Sequence, residues 1–208
     1  MEWDAGHLYS IGPLCYRGRM LDVALKEWAV VCDLLLEGLQ SILLRKGGIH
    51  EEQGSGRFRL THNRFALFPA REHQHVDGMK PQFRARVDAM AGEPESFELR
   101  GVGEVAAIWP LPSRRVFDRL DDLHGWAGPQ VDMRFNYKAD RPLYLLAIRA
   151  FRLVEPKTIT LKPHYWGCKS WVPLEPEDTV DDTDLVPAID EAVFTAILER
   201  IESAMVQL

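Results

Sequence analysis

Basic and amide side chains cluster in the first half of the chain, where predicted strands end and loops begin. Groups at such positions project from a rigid scaffold and commonly contact ligands. Lysine and arginine near flexible backbone suit phosphate contacts, and aromatic rings suit base stacking. The sequence therefore predicts a nucleic-acid-binding surface, for DNA or RNA, and its candidate residues are Arg45, Lys46, Arg64, Arg71, His73, Gln74, Lys169 and Trp171.

The last two candidates belong to an aromatic segment, Tyr165-Trp166-Gly167-Cys168-Lys169-Ser170-Trp171. Lysine between aromatic residues suits a strand of nucleic acid, with bases on the rings and phosphate on the ammonium group. The same residues also suit an aromatic lid packed over the core. No partner that would activate Cys168 is visible in the sequence, so we expect a buried structural thiol.

Histidine and glutamate offer a second kind of chemistry. His73 and His75 would share one face of an extended segment, and His50, His62 and Glu72 could join them as metal ligands. Glu72 and His73 could also act as an acid–base pair. A metal-assisted hydrolase is therefore the alternative function, although these histidines could equally be surface residues beside a loop.

The turn Arg45-Lys46-Gly47-Gly48 has two interpretations. Glycine would let a phosphate or carboxylate approach the backbone beside the two cations. Alternatively Arg45 is structural and pairs with Glu27 or Glu72, in which case its removal would strand a carboxylate.

Established catalytic fingerprints are absent. The sequence contains no P-loop, dinucleotide-binding glycine motif, HExxH, GxSxG or paired zinc-binding cysteines. Three cysteines without a CxxC spacing indicate a reducing compartment, and the chain has neither a secretory signal nor an apolar run long enough to span a bilayer, so we expect a cytoplasmic protein. Catalysis and cofactors stay undefined, and a protein-interaction or regulatory domain is a third possible function.

The formal net charge of −6 is unevenly distributed. Residues 40–86 hold 9 Lys and Arg against 4 Asp and Glu, whereas residues 174–208 hold 1 arginine against 10 Asp and Glu. Either the basic half meets a polyanion, or the acidic end offsets it within the molecule.

Hydrophobic periodicity predicts the elements that position these groups. Helices are expected from Asp22 to about residue 39, from Pro81 to Met90, after Ser113, and over residues 186–206. Strands are expected over residues 40–45, 65–68, 97–109, 143–153 and 158–161. Without a regular βαβ rhythm, the fold class is α+β with a mostly antiparallel curved sheet or partial β-barrel and flanking helices. Residues 1–20 form an appendage, and residues 21–208 form one domain that ends in an acidic linker (175–184) and a helix.

Several blocks resemble a known family. Leu25-Lys26-Glu27-Trp28-Ala29-Val30-Val31-Cys32, the Leu43–Ile49 block, Phe65-x-Leu67-Phe68-Pro69 with Glu72-His73-Gln74, and Gly167-Cys168-Lys169-Ser170-Trp171 are similar to the family of unknown function numbered 1802. Some of its relatives are associated with restriction-endonuclease-type domains, which implies an accessory role in restriction, defence or nucleic-acid processing. The stretch from Glu37 to Lys46 more weakly resembles the PUA-like barrels of the ASCH group, which implies a PUA-like fold.

Overall fold

A long antiparallel ribbon forms the centre of the sheet in the computed structural model, which describes residues 20–46 and 60–206. The ribbon pairs β5 (Ser96–Pro110) with β6 (Tyr144–Thr160), and its register shifts after Leu99 and after Val105. Such bulges bend a strand and increase its twist, so the ribbon curves.

The remaining strands extend this ribbon on both sides. They are β1 (Met20–Leu21), β2 (Val23–Trp28), β3 (Ile42–Arg45), β4 (Arg64–Ala70), β7 (Trp171–Pro173), β8 (Val180–Asp181) and β9 (Leu185–Pro187). The main sheet has the order β3-β6-β5-β4-β2-β7, with β9 also on β6, while β1 and β8 form a separate pair. Among the described strands only β2 and β4 pair in parallel.

Five α-helices flank the sheet in the described part of the chain: α1 (Ala29–Leu36), α2 (Pro81–Ala89), α3 (Arg114–Asp118), α4 (Gly128–Asn136) and α5 (Glu191–Val206). Helix α1 is buried along nearly its whole length in the larger core, which also takes in β3 and the centre of β6. A smaller core around Phe68, Leu99 and Tyr165 lies apart from it. The predicted α+β class with a mostly antiparallel, curved sheet is confirmed.

The two edges of this sheet approach each other. Arg45 ends β3 at one edge, yet its Nη2 donates a hydrogen bond of 3.3 Å to the carbonyl of Lys26 in β2, beside the other edge. Arg45 Nη2 also lies 2.7 Å from Glu27 Oε2, and both side chains are buried. The sheet therefore curls into a partial barrel, and Arg45 bridges its seam.

The predicted helix from Asp22 is wrong over its first half, because residues 23–28 form β2 and the helix begins only at Ala29. Both faces of β2 are covered by the core, so its buried residues follow one another and imitate a helical pattern. Trp28 is buried at this strand–helix junction, with its ring edge-on to His75.

The prediction that residues 175–184 form an acidic linker is also wrong. Residues 175–184 contain a 3-10 turn and β8, and the carboxylates of Asp178 and Asp182 are buried. The final helix begins at Glu191, since residues 185–187 pair with β6 as β9. Two predicted helix starts are confirmed, α2 with Pro81 in its first turn and α3 with the Ser113 hydroxyl accepting the Val116 amide at 3.3 Å. The two strands predicted over residues 143–153 and 158–161 are one continuous strand, β6. The predicted appendage lies outside the described residues apart from Met20.

Candidate functional site

A cleft of about 270 Å³ opens at the barrel seam. We call it the seam cleft, and its lining residues are Arg45, Lys46, Arg134, Tyr137, Lys138, Arg141 and Ser170. Five of these seven side chains are cationic and none is a carboxylate. The lining therefore concentrates positive charge in a small volume, which is the electrostatic requirement for binding an anion.

Three distant segments build the cleft. Arg45 and Lys46 come from the end of β3, Ser170 comes from the segment entering β7, and the other four come from the end of α4 and the turn after it. Lys46 fixes the helix end, because its Nζ donates to the carbonyls of Phe135 at 2.6 Å and Arg134 at 3.4 Å. A cation at this position donates hydrogen bonds to the unpaired carbonyls and interacts favourably with the negative end of the helix dipole.

Two of the arginines that line the cleft, Arg45 and Arg134, are in electrostatically unfavourable surroundings. Burial lowers the pKa of Arg134 from its ordinary value, Glu27 acts against that change, and the positive charge of Arg45 adds to it. Arg45 Nε is buried without a hydrogen-bond partner among the described residues. Glu27 offsets part of this charge, but its Oε1 already accepts the amide of Trp28 at 2.9 Å. A bound anion would relieve both the repulsion between the arginines and the unsatisfied donor.

The rim of the cleft is aromatic and exposed. Tyr137 follows α4 and has 55% of its surface exposed. The ammonium group of Lys138 lies over its ring, 5.2 Å from the ring centroid. Lys138 itself takes a positive φ of 46°, which few residues other than glycine adopt. The turn thus holds a flat ring and a cation side by side at the mouth of the cleft.

The structure separates the residues predicted as one site. Arg45 and Lys46 line the seam cleft, and Lys169 precedes its Ser170 but donates its Nζ to the His164 carbonyl at 2.7 Å. Arg64 is buried between Glu104 and Asp182 at 2.6 and 2.7 Å. Arg71 donates to the Gly92 carbonyl at 3.2 Å.

The three other predicted residues also have local roles. Gln74 Oε1 accepts the amide of Val30 at 3.2 Å and so caps the first turn of α1. Trp171 packs edge-on against His62 and Phe65, which agrees with the aromatic-lid alternative for that ring. His73 lies against Cys168, which is exposed, so the expectation of a buried thiol at this position is wrong.

Sequence reasoning missed Arg134, Lys138 and Arg141. Their density was a usable signal, since three cations fall within the eight residues Arg134-Phe135-Asn136-Tyr137-Lys138-Ala139-Asp140-Arg141. That segment lies about 90 residues from Arg45, and only the fold brings the two together.

The predicted metal site does not form among the described residues. No group of three His, Cys, Asp or Glu side chains could hold a metal ion there, and His50, Gly47 and Gly48 lie outside the described part. Glu72 is engaged by Lys26 and by the Gly167 amide, while the His75 ring packs on Trp28. No helix of the described residues is long and apolar enough to cross a membrane.

Three solved structures to which the chain is similar are of an ASCH protein from Zymomonas mobilis. The crystal structure of ASCH from Zymomonas mobilis is 12% identical to the chain, covers 75% of this chain and 89% of its own, and has a TM-score of 0.44. Its Tyr-to-Phe and Ser-to-Ala variants have the same identity, cover 75% of this chain and 91% and 89% of their own, and have TM-scores of 0.44 and 0.45.

Comparison of sequences identifies the family. No curated protein matches the chain. A family model for a domain of unknown function, DUF1802, matches residues 24–200, which is well over half of the chain and includes every lining residue of the seam cleft. The chain therefore belongs to the DUF1802 family.

Proposed function

We propose that the seam cleft binds the phosphate backbone of a nucleic acid. The observation that carries this proposal is its lining of five cations without a carboxylate. Nucleic acids are the common cellular polyanions, and neutralising their phosphates supplies most of the affinity of such surfaces. The accessory role in restriction, defence or nucleic-acid processing that the family resemblance implies is part of this proposal.

Single-stranded nucleic acid is the form that this site favours. The cleft is small rather than a long groove, and the exposed ring of Tyr137 stands at its mouth. Stacking on an aromatic ring requires an unpaired base, and each stacked base contributes about 1–3 kcal/mol. Phosphate would contact Arg134, Lys138 and Arg141, with the Ser170 hydroxyl available as a further donor.

Fluorescence anisotropy with single- and double-stranded DNA and RNA of one sequence tests the proposal. Lys138→Ala combined with Arg141→Ala removes two cleft cations, and Arg115→Ala combined with Lys157→Ala removes two exposed or half-exposed cations outside the cleft. Both variants therefore have the same net charge. We expect the cleft variant to bind at least about tenfold more weakly, with a salt dependence reduced by about one to two phosphate contacts.

Tyr137→Ala separates stacking from charge in the same titration. It should weaken single-strand binding and leave the salt dependence unchanged, because it removes no charge. If neither cleft variant differs from the matched control, or if micromolar protein binds none of the four nucleic acids at about 50 mM salt, the proposal is refuted.

A further inference from the structure

Cys168 has a histidine partner 95 residues away in sequence. Its Sγ lies 3.4 Å from Nε2 of His73, and the thiol is exposed. A thiolate is the reactive form of cysteine, and an imidazole at hydrogen-bond distance can take the thiol proton. The tautomer with hydrogen on Nδ1 leaves Nε2 free to accept that proton.

The fold holds His73 in an unfavourable backbone conformation. Its φ of 61° lies in the left-handed region, which residues other than glycine adopt uncommonly. The turn is fastened on both sides, because the Gln74 amide donates to the Arg71 carbonyl at 3.3 Å while its side chain caps α1. This anchoring fixes the direction in which the imidazole leaves the backbone.

The turn that carries Cys168 is fastened independently. Glu72 Oε1 accepts the amide of Gly167 at 3.3 Å, and Lys26 Nζ donates to the carbonyls of Tyr165 at 2.7 Å and Gly167 at 3.0 Å. Lys26 Nζ also lies 3.4 Å from Glu72 Oε2. One lysine and one glutamate therefore hold the thiol turn against the segment that presents His73.

Cys32 supplies a contrast within the same chain. It is buried, and its thiol lies 3.9 Å from the carbonyl oxygen of Glu27. Burial raises the pKa of the Cys32 thiol well above its usual value, and the negative charge of Glu27 raises it further. Cys32 is therefore an inert thiol, whereas Cys168 has both solvent access and a base.

We infer that Cys168 and His73 form a reactive thiol–imidazole pair and that Cys168 is a site of reversible modification by small-molecule disulfides. His73 Nε2 takes the proton, and the thiolate attacks one sulfur of the disulfide R–S–S–R. The bond between Cys168 Sγ and that sulfur forms as the reagent's S–S bond breaks, and the second sulfur leaves with the electron pair. The leaving thiolate takes the proton back from the imidazolium, so Cys168 is oxidised and the departing thiol is reduced.

Disulfide exchange fits this surface better than acyl transfer. Acyl transfer needs donors for the oxyanion of a tetrahedral intermediate. The nearby Gly167 amide is already engaged by Glu72, and thiol–disulfide exchange develops no oxyanion.

The test measures the reaction of the protein with oxidised glutathione by intact mass over time. A Cys15→Ser background removes the thiol that lies outside the described residues, and the same protein in urea gives the rate of an unconstrained thiol. We expect one rapid adduct on Cys168 that forms at least about tenfold faster than in urea, while Cys32 stays unmodified. Reducing agent should reverse it, and Cys168→Ser should abolish it.

His73→Asn is the informative variant, because asparagine tolerates the left-handed backbone and lacks the basic nitrogen. Its folded rate should fall to the urea rate, whereas the control His164→Asn, on the same loop as Cys168, should keep the parental rate. A folded parental rate no higher than the urea rate would overturn the inference without any variant, and so would an undiminished rate in His73→Asn.

Discussion

The seam cleft and the Arg64 site use arginine in opposite ways. Arg64 is buried between Glu104 and Asp182, and its guanidinium also packs 5.3 Å from the Phe151 ring centroid. In the seam cleft Glu27 is the carboxylate that meets Arg45, while Arg134, Lys138 and Arg141 line the opening. Arg64 is neutralised by carboxylates within the fold, whereas Arg134, Lys138 and Arg141 line a space that an anion can enter.

This difference shows that charge along a sequence is a poor guide to charge on a surface. The excess of cations in residues 40–86 includes Arg64, which is neutralised internally by the acidic end of the chain through Asp182. Three of the five seam cleft cations instead come from outside that basic region. The alternative of an internal charge offset therefore holds for Arg64, and contact between the basic region and a polyanion stays a prediction.

Removing Arg64 should have the largest effect on stability. Arg64→Ala removes the guanidinium that lies 2.6 Å from Glu104 and 2.7 Å from Asp182, and breaking a buried ion pair costs about 3–5 kcal/mol. We expect a loss of about 5 kcal/mol in urea unfolding because two carboxylates are affected. Arg115→Ala, at an exposed position of α3, should change the free energy of unfolding by less than about 0.5 kcal/mol. An equal effect of the two substitutions would contradict the comparison.

Arg45 shares features of Arg64 and of the cleft cations, since it is buried and also lines the cleft. Arg45→Ala should lower the free energy of unfolding by about 3–4 kcal/mol through stranded Glu27, and it should also weaken nucleic-acid binding. Combining it with Glu27→Gln should recover part of the stability but not the binding. A variant with parental stability would show that the seam does not depend on this ion pair.

His124 extends the comparison to a buried group that the fold keeps neutral. Its pKa is lowered from 6.5 to about 4, first by burial and then by the positive charge of the nearby Lys80. Between these two values the unfolded chain binds a proton that the folded chain rejects, so stability falls as the pH falls from about 6.5 to 4, by about 3 kcal/mol in total. Above pH 6.5 this contribution is constant.

His124→Phe isolates that contribution, because the imidazole already stacks on Phe117 at 4.7 Å with an angle of 13° between the planes. Urea unfolding at several pH values should show a shallower slope for this variant than for the parental protein between pH 4 and 6.5. An unchanged slope in His124→Phe would mean that folding does not lower the pKa of His124.

The smallest effect on stability belongs to the cleft rim. Lys138→Ala combined with Arg141→Ala should change the free energy of unfolding by less than about 0.5 kcal/mol per site, because both side chains are exposed and make no ion pair among the described residues. Urea unfolding measures this directly. A large loss would show that the rim cations are structural, as Arg64 is.

Local patterns were sufficient to predict much of the framework. Pro81 and Ser113 marked two helix starts, and the apolar run of β6 predicted a central strand. The same reasoning failed at β2, where residues buried on both faces remove the alternation that distinguishes a strand. It also failed at residues 175–184, whose acidity resembled a solvated linker until Lys162, Tyr165 and Arg64 were seen to bind its carboxylates.

The sequence by itself determined the α+β class, the family and the presence of a cation pair at the end of β3. Only the tertiary structure decided which cations remain available, because an arginine becomes structural or functional according to the carboxylates that the fold places within a few ångströms of it. Those partners are distant in the chain: Asp182 lies 118 residues from Arg64, and Lys46 reaches the helix end 88 residues away. The same holds for Cys168, whose partner His73 is set by two turns that meet only in the folded molecule.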